Sequence, residues 1–138
     1  MNAPLYTTEI LRLAASLSDP RQLADADGRA ELRSPACGSR IVTSVKLDER
    51  GRVEALAQQL HACAFGQASA ALLERAAAGR TRDDVAAALA ELDAWLSGAE
   101  TEPPWSLSTL APARSRKGRH GAILLPFRAL LAAIEAAR

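Results

Sequence analysis

The alternation of apolar and polar positions divides the chain into segments of different period. Leu5, Ile10, Leu13 and Leu17, with Tyr6 beside them, recur largely at helical spacing and predict a short amphipathic helix over 5–17. "SDPRQLADADGR" follows as a loop, and "GRAELRS" (28–34) reads as a strand. "RIVTSVKL" (40–47) is rich in β-branched residues and alternates, which places Ile41, Thr43, Val45 and Leu47 on one face. "DERG" (48–51) supplies turn chemistry, so "RVEALAQQL" (52–60) pairs back as the second arm of a hairpin.

Beyond residue 63 the period lengthens. "QASAALLERAAAG" has high helix propensity and reaches its stop at Gly79. "TRDD" (81–84) is a Thr-x-x-Asp variant of a capping box, so a helix runs from Arg82 to about Leu96, with Val85, Leu89, Leu92 and Leu96 as its stripe and Trp95 beside it. "GAETEPPW" (98–105) reads as a loop. The last helix presents Ile123, Phe127, Leu130, Leu131 and Ile134 on one face; Pro126, lacking an N–H, belongs in a first turn, which sets the start near Ile123. The expected class is α+β: a small antiparallel three-stranded sheet packed against helices, in one domain over 1–138 whose residues 1–25 are an N-terminal helix and loop.

Composition narrows the function. A formal net charge of +1 over 138 residues lacks the basic excess of a dedicated nucleic-acid binder. No apolar run approaches the roughly 20 residues that span a bilayer. "MNAPLYTTEILRLAASL" lacks the positive-then-apolar order of a signal peptide, and Glu9 interrupts it. The expected compartment is the cytoplasm, where thiols stay reduced. The Ala- and Arg-rich usage points to a bacterial source. There is no P-loop, GxGxxG or HExxH pattern.

That leaves the two cysteines, Cys37 in "ACGS" and Cys63 in "HACAFGQAS". The first falls in a turn between two predicted strands. The second falls where a strand hands over to a helix, near an N-terminus whose dipole favours thiolate. Loop positions at element ends carry function more often than core positions do. The alternative is that both are small apolar fillers. A structural disulfide between them is disfavoured by the reducing compartment, and their separation is not that of a zinc-binding pair. A nucleophilic pair of Cys63 with His61 or His120 lacks an evident orienting third group.

Three segments in unbroken order, "PACGSRIVTSVKLDERGRVEAL", "ACAFGQASAALLERAAAGRT" and "RHGAILLPFRALLAAI", resemble the U-type iron–sulfur scaffold family (IscU, SufU and the N-terminal domain of NifU) over roughly residues 26–138. That family carries an Ala/Val-Cys-Gly-Asp segment before a strand, a Gly-Cys-x-x-x-x-Ala-Ser segment entering a helix, and a third cysteine at the start of a late helix. The resemblance implies a non-enzymatic protein of the scaffold fold that receives sulfur from a cysteine desulfurase, holds iron, a [2Fe–2S] cluster or zinc, and passes its cargo to acceptor proteins. Thiolates suit these metals because both iron and zinc accept soft sulfur ligands.

Carried over by position, the resemblance makes Cys37 the first ligand and Cys63 the second. Ser39 stands where the family has aspartate, and a neutral hydroxyl is a much poorer ligand than a carboxylate. Gly121 stands where the third cysteine falls. Neighbouring His120 is then the best third candidate, since neutral imidazole binds zinc and iron. His61 is a spare candidate, sharing a side with Cys63 if the strand stays regular, although a half-exposed strand histidine explains it as well. In "LAPARSRKGRHG", Arg114, Arg116, Lys117 and Arg119 form a basic cluster, either a solvated loop or a docking surface for an acidic partner. Loss of the third cysteine leaves a second reading open: a degenerate paralogue that keeps the fold and serves as a non-enzymatic interaction subunit of a larger complex.

Overall fold

The computed structural model describes residues 6–35 and 38–137. Three strands, β1 (Gly28–Arg33), β2 (Arg40–Leu47) and β3 (Val53–His61), form an antiparallel sheet in the order β1-β2-β3. Around it lie α1 (Thr8–Ala15), α2 (Ala64–Ala76), α3 (Arg82–Leu96) and α4 (Lys117–Ala136), with a 3₁₀ segment over Pro104–Ser115. This is the expected α+β architecture.

The register follows from the apolar face of β2. Ile41 stands between Leu32 and Leu60, Thr43 between Ala30 and Gln58, and Val45 between Gly28 and Leu56. Ile41 packs with Leu32 and Leu60 against Leu125 and Ala129 of α4. The alternation expected for a half-buried strand is lost, because Ile41 through Val45 are all buried. The segment between α1 and β1 is tied onto the sheet: the Leu23 N–H donates to Ser44 Oγ (2.9 Å), the Asp27 N–H donates to the Val45 carbonyl (2.8 Å), and Asp25 pairs with Lys46 (3.1 Å). At the β2–β3 turn, Asp48 Oδ1 accepts from the N–H groups of Arg50 and Arg52, and Gly51 takes φ 76°.

Local chemistry sets the helices. Thr81 and Asp84 form the expected capping box, each side chain accepting the other's backbone N–H. α2 stops at Ala76, short of the predicted Gly79, and Gly79 at φ 82° turns the chain so that Gly79 and Arg80 bond Val53 on the edge of β3. α1 lies along α2, with Tyr6 stacked on Phe65 at 5.0 Å. The main core joins all four helices and the 3₁₀ segment, with Phe65, Phe127, Leu92, Leu107, Leu110 and Ile123 at 0% exposure.

Two expectations are corrected. The stretch around 104–115 is not loop: it winds into 3₁₀ turns that bury Leu107 and Leu110. Trp105 and Ser106 enter it with φ 52° and 64°, a left-handed conformation that costs roughly 1–3 kcal/mol per residue. Trp105 offsets that cost by packing on Phe127 (5.1 Å) beneath the Arg80 guanidinium (5.2 Å). α4 begins at Lys117, six positions before Ile123, so Pro126 lies in the helix interior and not in its first turn. Pro126 cannot donate to the Ala122 carbonyl. α2 packs beside this break, where the Ser69 hydroxyl donates to the adjoining Ile123 carbonyl at 2.7 Å.

Candidate functional site

The topology brings three parts of the chain to one end of the sheet. β1 ends at Arg33, which stands opposite Arg40 at the start of β2, and Arg40 in turn stands opposite His61 at the end of β3. The β1–β2 connection is closed by its own backbone: the Ser34 N–H donates to the Ser39 carbonyl (2.8 Å), and the Gly38 N–H donates to the Ser34 carbonyl (3.0 Å). Gly38 takes φ 71°, which a residue with a side chain rarely adopts. Cys37 belongs to this connection in sequence but lies outside the described residues. From His61 the chain passes through Ala62 into Cys63, the N-cap of α2, and the Cys63 carbonyl accepts the Gln67 N–H at 3.0 Å. The third part is the N-terminal half of α4.

Missing side chains allow that approach. A Cβ on Gly66 would lie 2.7 Å from Ala62 Cβ and 3.2 Å from the Ala122 carbonyl oxygen, the group left without a helical partner by Pro126. A Cβ on Gly121 would lie 2.6 Å from Ser34 Oγ. Gly66 therefore seats α2, with Cys63 at its head, on α4. Gly121 seats α4 on the β1–β2 connection.

Cys63 is half-buried, carries a free thiol and rests against the main core. It is the N-cap of its helix, which has no acidic residue in the first turn. His61 is exposed and shares the outer sheet face with Arg40; the strand ends at His61, so the two-residue periodicity does not extend to Cys63. Ser39 is buried, with its carbonyl committed to Ser34. His120 is half-buried, with Nε2 3.0 Å from the Ala113 carbonyl and 3.1 Å from that of Arg114. Two carbonyl oxygens can only accept, so Nε2 carries a proton and Nδ1 is the ring nitrogen not used by these two carbonyls. The imidazole thus holds the end of the 3₁₀ segment and borders a cleft of about 510 Å³ that includes Leu96, Gly98, Arg114 and Lys117. Among the described residues, no group of three His, Cys, Asp or Glu side chains gathers in a way that would hold a metal.

The basic cluster divides in two. Arg114 is structural: it donates to the carbonyls of Trp95 (2.9 Å) and Ala99 (2.8 Å) and stacks on the Trp95 ring at 5.0 Å, closing the C-terminal end of α3. Arg116 and Lys117 are exposed and Arg119 half-exposed, at a helix N-terminus with no side-chain cap and no acidic residue in its first turn. Positive charge at the positive end of a helix is unfavourable, and an anionic surface would relieve it.

Sequence reasoning passed over Ser34 and the packing roles of Gly66 and Ser69. The available signal was the set of small residues Gly66, Ala68, Ser69, Ala70 and Ala71, which is unusual for a surface helix and points to close backbone approach. Among the described residues, no helix is long and apolar enough to cross a membrane.

No protein-family model matches the chain, and no curated protein matches it. Solved structures do. The N-terminal part of a nitrogen-fixing NifU-like protein from Brucella abortus superposes with a TM-score of 0.87 at 32% identity, over 96% of this chain and 94% of that one. A protein assigned to the SUF system of Fervidobacterium islandicum AW-1 as an iron–sulfur cluster assembly scaffold superposes with a TM-score of 0.84 at 17% identity, over 94% and 96% of the two chains. A hypothetical protein superposes with a TM-score of 0.75 at 23% identity, over 92% and 97%. At these lower identities the second and third structures speak for the fold alone.

Proposed function

The chain belongs to the NifU-like, U-type iron–sulfur cluster assembly scaffold family, and from that membership we propose that it is a non-enzymatic, cytoplasmic scaffold acting in cluster assembly. Its cargo is iron or a [2Fe–2S] cluster, with zinc as an alternative occupant. Cys37 and Cys63 are the thiolate ligands, and His120 assists through Nδ1, the ring nitrogen left free by the two carbonyls at Nε2. Sulfur arrives from a cysteine desulfurase, and the finished cargo leaves to acceptor proteins. Arg116, Lys117 and Arg119, beside the site at the head of α4, supply a docking surface for an acidic partner.

The observation that carries this reading is the pairing of Arg40 with His61. It supports the reading because the ends of β2 and β3 that it joins lie, in sequence, three positions after Cys37 and two before Cys63. Ligands on separate connections can part, which suits a carrier that must release what it holds.

A second reading, the degenerate paralogue serving as an interaction subunit, is favoured by the third corner. Position 121 offers no side chain, and the imidazole beside it is engaged with backbone. One experiment separates the two. The purified chain is loaded with zinc, or with ferrous iron and sulfide, and bound metal and visible absorbance are measured for the parent, Cys37→Ala, Cys63→Ala and His120→Ala. The scaffold reading expects stoichiometric metal that falls at least tenfold in each cysteine variant and less in His120→Ala. Metal content indifferent to both cysteines refutes it and leaves the interaction subunit.

A further inference from the structure

Among the described residues, Ser34 is the side chain that meets α4 at Gly121. Among the described residues beyond its own stretch of helix, an ideal Cβ at Gly121 comes within 4 Å of Ser34 Oγ, at 2.6 Å, and Ser34 Cβ, at 3.7 Å. The hydroxyl therefore stands where a side chain from position 121 would begin. Its residue is 7% exposed and locked at both backbone groups, to Ser39 and to Gly38, so the side chain has a defined origin. It sits three residues before Cys37 in sequence and at the junction of the β1–β2 connection with α4.

We propose that Ser34 is a binding residue of this site, its hydroxyl filling the corner that Gly121 leaves open and donating a hydrogen bond to thiolate or sulfide sulfur held there. The inference rests on the scaffold reading above. A neutral hydroxyl is a poor metal ligand but a good donor, and a hydrogen bond to a charged acceptor is about twice as strong as a neutral one. Hydrogen bonds of this kind to metal-bound groups typically change affinity 10–100-fold. In this chain a donor from the loop takes the position from which a side chain on the helix would otherwise reach, and the corner carries one negative charge less than a thiolate would give it.

The geometry supplies its own control. Among the described residues, a Cβ at 121 sits at ordinary contact distance from Ser34 Cβ and conflicts with Ser34 Oγ. In Ser34→Ala combined with Gly121→Ser, the hydroxyl moves from loop to helix while remaining in the same corner. Zinc affinity of the full chain is measured by competition with a chromophoric chelator, alongside Tm. Ser34→Ala is expected to bind zinc about tenfold more weakly with Tm nearly unchanged, and the double variant to recover most of that loss. Ser34→Ala within twofold of the parent overturns the inference. So does a loss that the double variant fails to recover, which would mark Ser34 as a fold residue only. Cys63→Ala without effect on zinc would instead remove the scaffold reading, and this inference with it.

Discussion

Gly66→Ala sets two effects of opposite sign against each other. Gly66 lies in the first turn of α2, and in a helix alanine is favoured over glycine by roughly 0.5–1 kcal/mol. Propensity alone therefore predicts stabilisation. The packing predicts the reverse. The new methyl would stand 2.7 Å from Ala62 Cβ, 3.2 Å from the Ala122 carbonyl oxygen and 3.4 Å from Ala122 Cβ. None of these atoms is the end of a flexible side chain, so the contact is relieved only if α2 lifts from α4 or Ala62 moves. Overpacking of this kind costs about 1–3 kcal/mol. A shift would also weaken the Ser69–Ile123 hydrogen bond, one turn along the same interface. Taken together, these terms give a net loss of about 1–2 kcal/mol, or a Tm lower by roughly 3–8 °C for a chain of this size. Thermal and urea unfolding measure it directly. A Tm equal to or above that of the parent would refute the close α2–α4 seating, and with it the placement of Cys63.

Two further outcomes follow from buried and titrating groups. Thr43 Oγ1 and Gln58 Oε1 face the helices from directly opposed positions, and each is buried without a hydrogen-bond partner. Thr43→Val removes one orphaned hydroxyl at nearly constant volume and is expected to raise stability by about 1 kcal/mol in urea unfolding; a loss would mean that the hydroxyl is satisfied. Asp25, beside Lys46, and Asp48 and Asp84, each accepting backbone N–H bonds, all have pKa values held below the ordinary 3.8. A carboxylate depressed in the folded state stabilises fully above the ordinary value, and that contribution is lost as pH falls through the depressed one. Tm is therefore expected to be flat in these groups above about pH 5 and to fall below about pH 4, and a Tm that holds to pH 2 contradicts the three pairings.

The sheet and the middle helices were legible because their signals are local. "RIVTSVKL" declares a strand, "DERG" a turn and "TRDD" a helix start, and each depends on residues within a turn of itself. The errors came where distant contacts override local rules. Pro126 reads as a helix start because its missing N–H is costly elsewhere, and nothing near it in sequence announces the packing of α2, whose Ser69 lies 57 positions earlier and bonds the adjoining Ile123 carbonyl. Trp105 and Ser106 are poor candidates for left-handed backbone, and nothing near them in sequence announces Phe127 and Arg80 as the groups that stabilise it. The candidate site divides the same way. The cysteines are visible as residue types at predicted element ends, whereas the approach of Ser34 to Gly121 depends on α4 reaching the β1–β2 connection, which no short-range pattern encodes.

That reach is decided by glycines. α4 meets β1 where a Cβ on Gly28 would strike the Ala133 carbonyl, α2 at Gly66, and the β1–β2 connection at its own Gly121. Each contact is backbone against backbone or against a very small side chain, so there is little room for the helix to settle elsewhere. The consequence is a division of labour. α4 is a fixed wall, held along its length by contacts that a single methyl group would disturb. The β1–β2 connection meets it through the Ser34 hydroxyl at Gly121, and α2 meets it through Gly66 at the Ala122 carbonyl, so both cysteine-bearing parts of the chain are set against one helix by glycines.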